Sequence, residues 1–426
     1  MQKIFYNGNI FTNNENQDIA QAMIVNDGRV VYVGDNDEIL NLKTDETELL
    51  NLKEKYVYPT FFCFKEGIFE FLSERLKNAK KIKEIQNSDD IDENYENFAN
   101  FEEYKKEYIK LEKEFIKNGI STIIWTKIGK VEFAFLKQIS EEKRLSVDIV
   151  AYVDIVSSKQ VMDDNCVTYR KYRNHLRLGG YYLKIDGRIQ ELKALLKKHY
   201  VGSKTYFGFQ ETSNEQLYYL IKEALSEKKQ ILFDVSGDKA IENVLKVLDD
   251  VSEKEKIAEF YRPIFYGVGL VDKRIYPSLK KFDVTLVFEN LSKEDIKKAK
   301  RGIGIFRRKK FQNLKSLKKN KIRLLFSLNN YSEFEINNIK KSSFFAKCKF
   351  NSKMLKNYKN IEKNTNLLGD LFYSNFAYIC FDQDKKAILE TEKQANFIIS
   401  NNSIIESVLN NTSFVKGVYF EGEKKY

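Results

Sequence analysis

Between positions 57 and 328 one theme recurs eight times: an apolar run of strand length, followed in most cases by a polar stretch with helical spacing. The runs are VYPTFFCF, GISTIIWT, LSVDIVAYV, GYYLKID, QILFDVS, YRPIFYGVG, DVTLVFE and KIRLLFSL. Short, nearly continuous apolar runs suit strands buried on both faces. EEYKKEYIKLEKEFIKNG, NEQLYYLIKEALSEKK, DKAIENVLKVLDDV and SKEDIKKAKRG, which lie between them, read as helices. Eight buried strands joined by helices predict an α/β fold of the (β/α)8 TIM-like barrel type, whose functional groups sit at the C-terminal ends of the strands.

The two ends of the chain read differently. KIFYNGNIFT, AQAMIVNDGRVVYVG and TELLNLKEKYVYP are short β-rich runs punctuated by Asn-Gly and Asp-Gly, which are hairpin signals. KAILETEKQANFIISNN and SFVKGVYFEGEKKY have the same character. A small β-sandwich built from both ends is expected, with residues 1–56 and 385–426 forming it, 57–345 the barrel and 346–384 a connecting segment. The acidic stretch SDDIDENYENFANFEEY reads as a solvated loop and helix start, and 351–366, rich in lysine and asparagine, as part of the connection.

A chain of 426 residues with 42% apolar and 14% aromatic residues has ample material for a large core. No run of 18 apolar residues occurs, nor an uninterrupted apolar segment near the first residue, so a soluble, cytoplasmic protein without membrane association is expected. Cys63, Cys166, Cys348 and Cys380 form no CxxC pair and suggest small buried apolar residues rather than disulfides or a zinc knuckle. The net charge of +11 comes with abundant lysine and asparagine and only three prolines, a bias that an AT-rich genome also produces, so charge alone is weak evidence for an acidic partner.

NGNIFT, MIVNDGRVVYVGDNDEIL, VYPTFF, LKIDG, SGDKAIENVL and AILETEKQANFIIS, in this order over nearly the whole chain, resemble the amidohydrolase superfamily, in particular its branch related to N-substituted formamide deformylases. The resemblance implies hydrolysis of non-peptide carbon–nitrogen bonds by one or two divalent metals, zinc or another, at the top of the barrel. Related barrels are often dimers, so the resemblance allows a homodimer, although nothing in this chain independently marks an interface. Such chemistry needs imidazole and carboxylate ligands and an open position for an activated water. Where the resemblance places a His-x-His pair, FCFKEG has Lys65 and Gly67. Asp234 stands at the fifth-strand histidine, Phe265 at the sixth-strand histidine, and Asn329 near the aspartate after the eighth strand. Lys184 and Asp186 of LKIDG match the pattern. The metal-ligand histidines are therefore read as lost, and no metal or other cofactor is expected.

The two histidines, His175 and His199, flank the fourth strand rather than ending one, and read as surface or packing residues. A vacated metal site must be refilled, because buried carboxylates without partners are costly. Lys65 or Lys184 is expected to pair there with Asp234 or Asp186. A desolvated lysine can also act as nucleophile or base, which makes Lys184 a catalytic candidate beside Asp186 and Asp234. Lys65, Lys184, Asp234, Phe265 and Asn329 are the candidate binding residues.

Residues 297–321 carry twelve basic residues and no acid, with Phe306 and Phe311 interleaved. Clustered Lys and Arg suit a polyanion such as RNA. The resemblance makes the segment a solvated outer helix before the eighth strand, and nucleic acid is the less favoured reading. No complete GxGxxG, Walker or GxSxG motif is present. The chain reads as a degenerate amidohydrolase-like protein that binds a small molecule or a partner. An active carbon–nitrogen hydrolase with an altered site is the alternative, and polyanion binding through 297–321 the third.

Overall fold

The computed structural model describes residues 1–14, 16, 19–76, 101–163, 168–256, 259–289, 291–327, 373–403 and 415–426. The acidic stretch, apart from its last residues, Asn329, the 351–366 connection, Cys166 and Cys348 lie outside the described residues. The chain divides into two compact units: residues 1–63, 113–122 and 331–426, and residues 64–112 and 123–330.

Eight strands form one sheet in sequential order: β1 (Phe61–Glu66), β2 (Ile120–Ile128), β3 (Asp148–Asp154), β4 (Leu176–Lys184), β5 (Ile231–Asp234), β6 (Ile264–Tyr266), β7 (Thr285–Glu289) and β8 (Arg323–Ser327). Neighbours from β3 to β8 pair in parallel. The sheet rolls up, since the ring of Phe64 on β1 lies 5.6 Å from that of Tyr266 on β6. The expected (β/α)8 architecture is present. Nearly every residue of these strands is buried, which is why they read as continuous apolar runs rather than alternating ones.

The helices follow the same logic. In order they are α1 (Ile68–Leu76), α2 (Phe101–Lys117), α3 (Lys130–Glu141), α4 (Asn214–Ser226), α5 (Asp238–Glu255), α6 (Tyr276–Lys281), α7 (Lys293–Ile303) and α8 (Leu314–Lys319). Start signals are local: Ser213 Oγ accepts from Gln216 N at 3.2 Å while Gln216 Oε1 accepts from Ser213 N at 3.0 Å, a reciprocal capping box. Ser292 Oγ likewise accepts from Asp295 N at 3.0 Å and opens α7. Between β3 and β4 the described residues hold a 3-10 turn, Lys159–Asp163, instead of an α-helix.

In the other unit a six-stranded sheet runs Glu423–Lys424, Gly417–Phe420, Phe397–Ser400, Tyr56–Pro59, Asn9–Phe11 and Ile19–Ala20, so strands from both ends of the chain lie side by side. A four-stranded sheet runs Arg29–Gly34, Ala22–Asn26, Lys3–Tyr6 and Glu48–Asn51. Phe5, Met23 and Val25 of the second sheet pack in one core with Ile10, Val57 and Phe397 of the first. The run VYPTFFCF, expected as a single strand, is two. Tyr56–Pro59 pairs with Phe397–Ser400, and after Thr60 the chain changes partners, Phe61 N donating to Gly119 O at 2.8 Å.

Candidate functional site

Strand register decides which side chains face the barrel lumen. Lys184, Asp234 and Tyr266 are direct partners across β4, β5 and β6, and Glu289 pairs with Ser327 across β7 and β8. Side chains alternate along a strand, so residues two apart share a face. Tyr266 meets Phe64 across the barrel, which makes this face the lumen. Tyr182 shares the face of Lys184 and donates its hydroxyl to Asp234 Oδ2 at 2.8 Å.

The cation at the centre of this layer is Arg188, four residues beyond the end of β4. Its Nη1 donates to Asp234 Oδ1, while Nε at 2.8 Å and Nη2 at 3.0 Å hold the two oxygens of Glu289. Only a planar guanidinium fork makes this side-on bidentate contact; an ammonium on a flexible stem does not. The side chains of Arg188, Asp234 and Glu289 are 13%, 3% and 12% exposed, so the network is nearly dry. The guanidinium carbon lies 5.5 Å from the ring centroid of Tyr266, within cation–π range.

Two carboxylates against one guanidinium leave excess negative charge, and Glu66 at the end of β1 adds to it. Burial raises the Glu66 carboxyl above the usual carboxylate range, and the Asp234 charge raises it further against the pull of Arg188. The phenols of Tyr182 and Tyr266 stand well above their ordinary value, first through burial, then through Asp234 for Tyr182 and Glu289 for Tyr266. The hydroxyls of Tyr266 and Ser327 are buried without a hydrogen-bond partner among the described residues. Such groups are uncommon in folded proteins.

A cap of irregular chain follows Arg188. Ile189, Ala194, Leu196 and Tyr200 from this segment pack with Leu270, Ala299, Ile303 and Phe311 in one buried cluster. The basic segment therefore departs from the expected single outer helix. The end of α7 and the turn after it belong to the cap, and Gln312 Nε2 donates to Glu289 O at 3.3 Å; α8 alone precedes β8.

The residues singled out in the sequence fall in several places. Asp234 lies in the central network. Asp186 is buried beside it and ties the loops after β4 and β5 together: Oδ1 accepts from Ser236 N at 2.7 Å, and Oδ2 from Leu195 N at 2.8 Å and Gly237 N at 3.0 Å. Burial outweighs these three bonds and pushes its carboxyl up to about 7. Lys184 lies on the lumen side but pairs with Glu211 at 2.8 Å, a contact that raises its pKa. Lys65 and Phe265 each sit one residue from a lumen-facing position and so take the opposite face: Lys65 Nζ is 5.1 Å from the Phe71 ring centroid, and the Phe265 ring is 5.5 Å from that of Phe233. The cation expected on Asp234 is thus an arginine where a lysine was anticipated. Glu66, Tyr266 and Glu289, the last residues of β1, β6 and β7, were legible from the strand-end rule; Arg188 carried no comparable signal.

Solved structures of known proteins share this architecture over the whole chain. An uncharacterized metal-dependent hydrolase from Pyrococcus furiosus superposes with a TM-score of 0.74 at 17% identity, covering 95% of this chain and 100% of that one. Its counterpart from Pyrococcus horikoshii gives 0.71 at 18%, and guanine deaminase from C. acetobutylicum 0.59 at 15%, each covering 100% of both chains. The fold is that of the amidohydrolases. No family model matches the chain. A stretch of 58 residues is 40% identical to part of the exoenzymes regulatory protein AepA of Pectobacterium carotovorum subsp. carotovorum, spanning 14% of this chain and 12% of that protein.

An amidohydrolase fold raises the question of whether these residues suit a divalent metal. Arg188 already claims an oxygen of Asp234 and both oxygens of Glu289, and its fixed positive charge repels a dication at the same spot. Neither histidine supplies an imidazole to the strand ends. His175 Nδ1 lies 2.8 Å from Asp148 Oδ1, before β4, and His199 Nδ1 lies 2.9 Å from Tyr200 O in the cap. Among the described residues no group of three or more His, Cys, Asp or Glu side chains is arranged to hold a metal ion. The donor set that the described residues place at the strand ends does not fit a catalytic zinc.

Proposed function

We propose that this protein is a degenerate amidohydrolase-type barrel that binds a small molecule at its C-terminal face without metal-dependent hydrolysis of carbon–nitrogen bonds. The observation that carries the reading is Arg188 on Asp234 and Glu289, a guanidinium network where a metal hydrolase needs open ligand positions. The hydroxyls of Tyr266 and Ser327, which have no partner among the described residues, support a ligand that hydrogen-bonds in the lumen, and the surplus of carboxylates favours one carrying amine or amide N–H donors.

A second reading, an active hydrolase with an altered site, draws on Glu66. A carboxyl raised by burial is suited to donate a proton to a departing nitrogen. One experiment separates the two. Purified protein is tested against amines, amino acids, formamides and N-acyl compounds, with thermal stabilisation and release of free amine measured on the same samples. Stabilisation without turnover supports the binding reading. Turnover that is abolished in Glu66→Gln would establish the hydrolase instead.

A further inference from the structure

Bare apolar surface and a concentration of basic residues coincide at the edge of the cap. After α7 the chain turns at Gly304, with a left-handed φ of 76°, and carries Ile305 and Phe306 clear of the protein at 73% and 96% exposure. Val201 of the cap adjoins this turn, since a Cβ on Gly304 would sit 2.9 Å from Val201 Cγ2, and it is 59% exposed. Single exposed apolar residues are ordinary; three together at a projecting tip are not.

The tip is also held in place. Arg307 donates from Nε to Ile303 O at 2.8 Å, from Nη1 to Lys198 O at 2.8 Å and from Nη2 to His199 O at 2.6 Å. Val201 N donates to Gly302 O at 2.8 Å. Around it Lys198, Lys204, Arg308, Lys309 and Lys310 are exposed, and the whole of 297–321 contains no acid.

We propose that this tip docks on the surface of an anionic lipid bilayer, with Ile305, Phe306 and Val201 entering the boundary between headgroups and acyl chains and the surrounding lysines and arginines meeting lipid phosphates. The charge is complementary to such a surface, and apolar side chains ringed by Lys and Arg are the pattern that interfacial anchoring requires. Single-stranded nucleic acid would exploit the same charge but needs aromatic faces on which bases stack. Two of the three tip residues are aliphatic, and Tyr206, an exposed aromatic nearby, already stacks on Tyr200. Hydrocarbon is the medium that uses Ile305 and Val201.

The test is flotation of the full chain with vesicles of phosphatidylcholine alone and of phosphatidylcholine containing phosphatidylserine, alongside anisotropy with a labelled oligouridine. Binding only to the anionic vesicles is expected. It should fall about tenfold or more in the double variant Ile305→Ser/Phe306→Ser, whose two apolar anchors are gone, and similarly in Lys309→Glu/Lys310→Glu, which reverses two surface charges. Thermal melts verify that both variants remain folded. Equal binding to both vesicle types, no binding to either, undiminished binding by the serine variant, or oligouridine binding that depends on Phe306 would overturn the proposal. So would a dimer that the serine substitutions dissociate. The result is independent of whether the lumen holds a ligand, because no residue altered here belongs to the Arg188 network.

Discussion

Gly267 lies so close to Arg188 that a Cβ on it would come within 2.6 Å of both the guanidinium Cζ and Nη1. Its φ of 75° is also left-handed, so only glycine both adopts this backbone and leaves room for the arginine. Gly267→Ala is expected to displace Arg188 from Asp234 and Glu289 and to lower stability by about 3 kcal/mol or more, the loss typical of a broken buried ion pair. Urea unfolding checks this; a change near zero would mean that the guanidinium does not occupy that position.

Arg188 itself gives the sharper comparison. In Arg188→Met the two buried carboxylates lose their cation, and a loss of about 3–5 kcal/mol is expected at neutral pH. Arg188→Lys should recover part of the charge compensation but not the side-on contact to both oxygens of Glu289. Coincident unfolding curves for wild type and Arg188→Met at neutral pH would contradict the network.

Lys184 is expected to be chemically quiet. Its hydrogen bond to Glu211 raises its pKa and holds the ammonium form, the opposite of what a nucleophilic amine needs. Borohydride treatment with carbonyl compounds at neutral pH should trap no adduct at this position. Lys184→Met should lower stability by no more than about 1 kcal/mol, because the pair is partly solvated.

How much of this could be read in advance depended on how local the cause is. The barrel strands announced themselves because burial on both faces leaves long apolar runs, and Ser213 and Ser292 cap their helices through neighbours three residues away. The split of VYPTFFCF at Thr60 was hidden, since both halves are equally apolar and only their pairing partners differ. Arg188 was hidden for a stronger reason: it stands in a polar loop, and Glu289, which it grips, is 101 residues further along the chain. Lys65 lies one residue from the lumen-facing Glu66, and a shift of one residue in a strand exchanges lumen for the opposite face. Phe265 stands in the same relation to Tyr266.

A pH effect is expected away from the site. Glu112 is buried, with Oε2 accepting from Ser146 N at 2.9 Å and Oε1 without a partner among the described residues, and burial pushes its carboxyl from 4.5 up to about 8. A raised folded pKa means that the stabilisation is complete below the unfolded value and is lost as pH rises through the folded one. Stability should therefore decline between pH 4.5 and about 8 by an amount that Glu112→Gln no longer shows. Identical pH profiles for the two proteins would contradict the assignment.

The metal content of the purified chain after growth in zinc-supplemented medium tests the central claim most directly. With Arg188 holding Asp234 and Glu289, zinc and other transition metals should stay far below one atom per chain, and Arg188→Met should not acquire them, because no imidazole stands at the strand ends. A stoichiometric metal in the wild-type protein, lost on chelation together with any amide hydrolysis, would contradict the account.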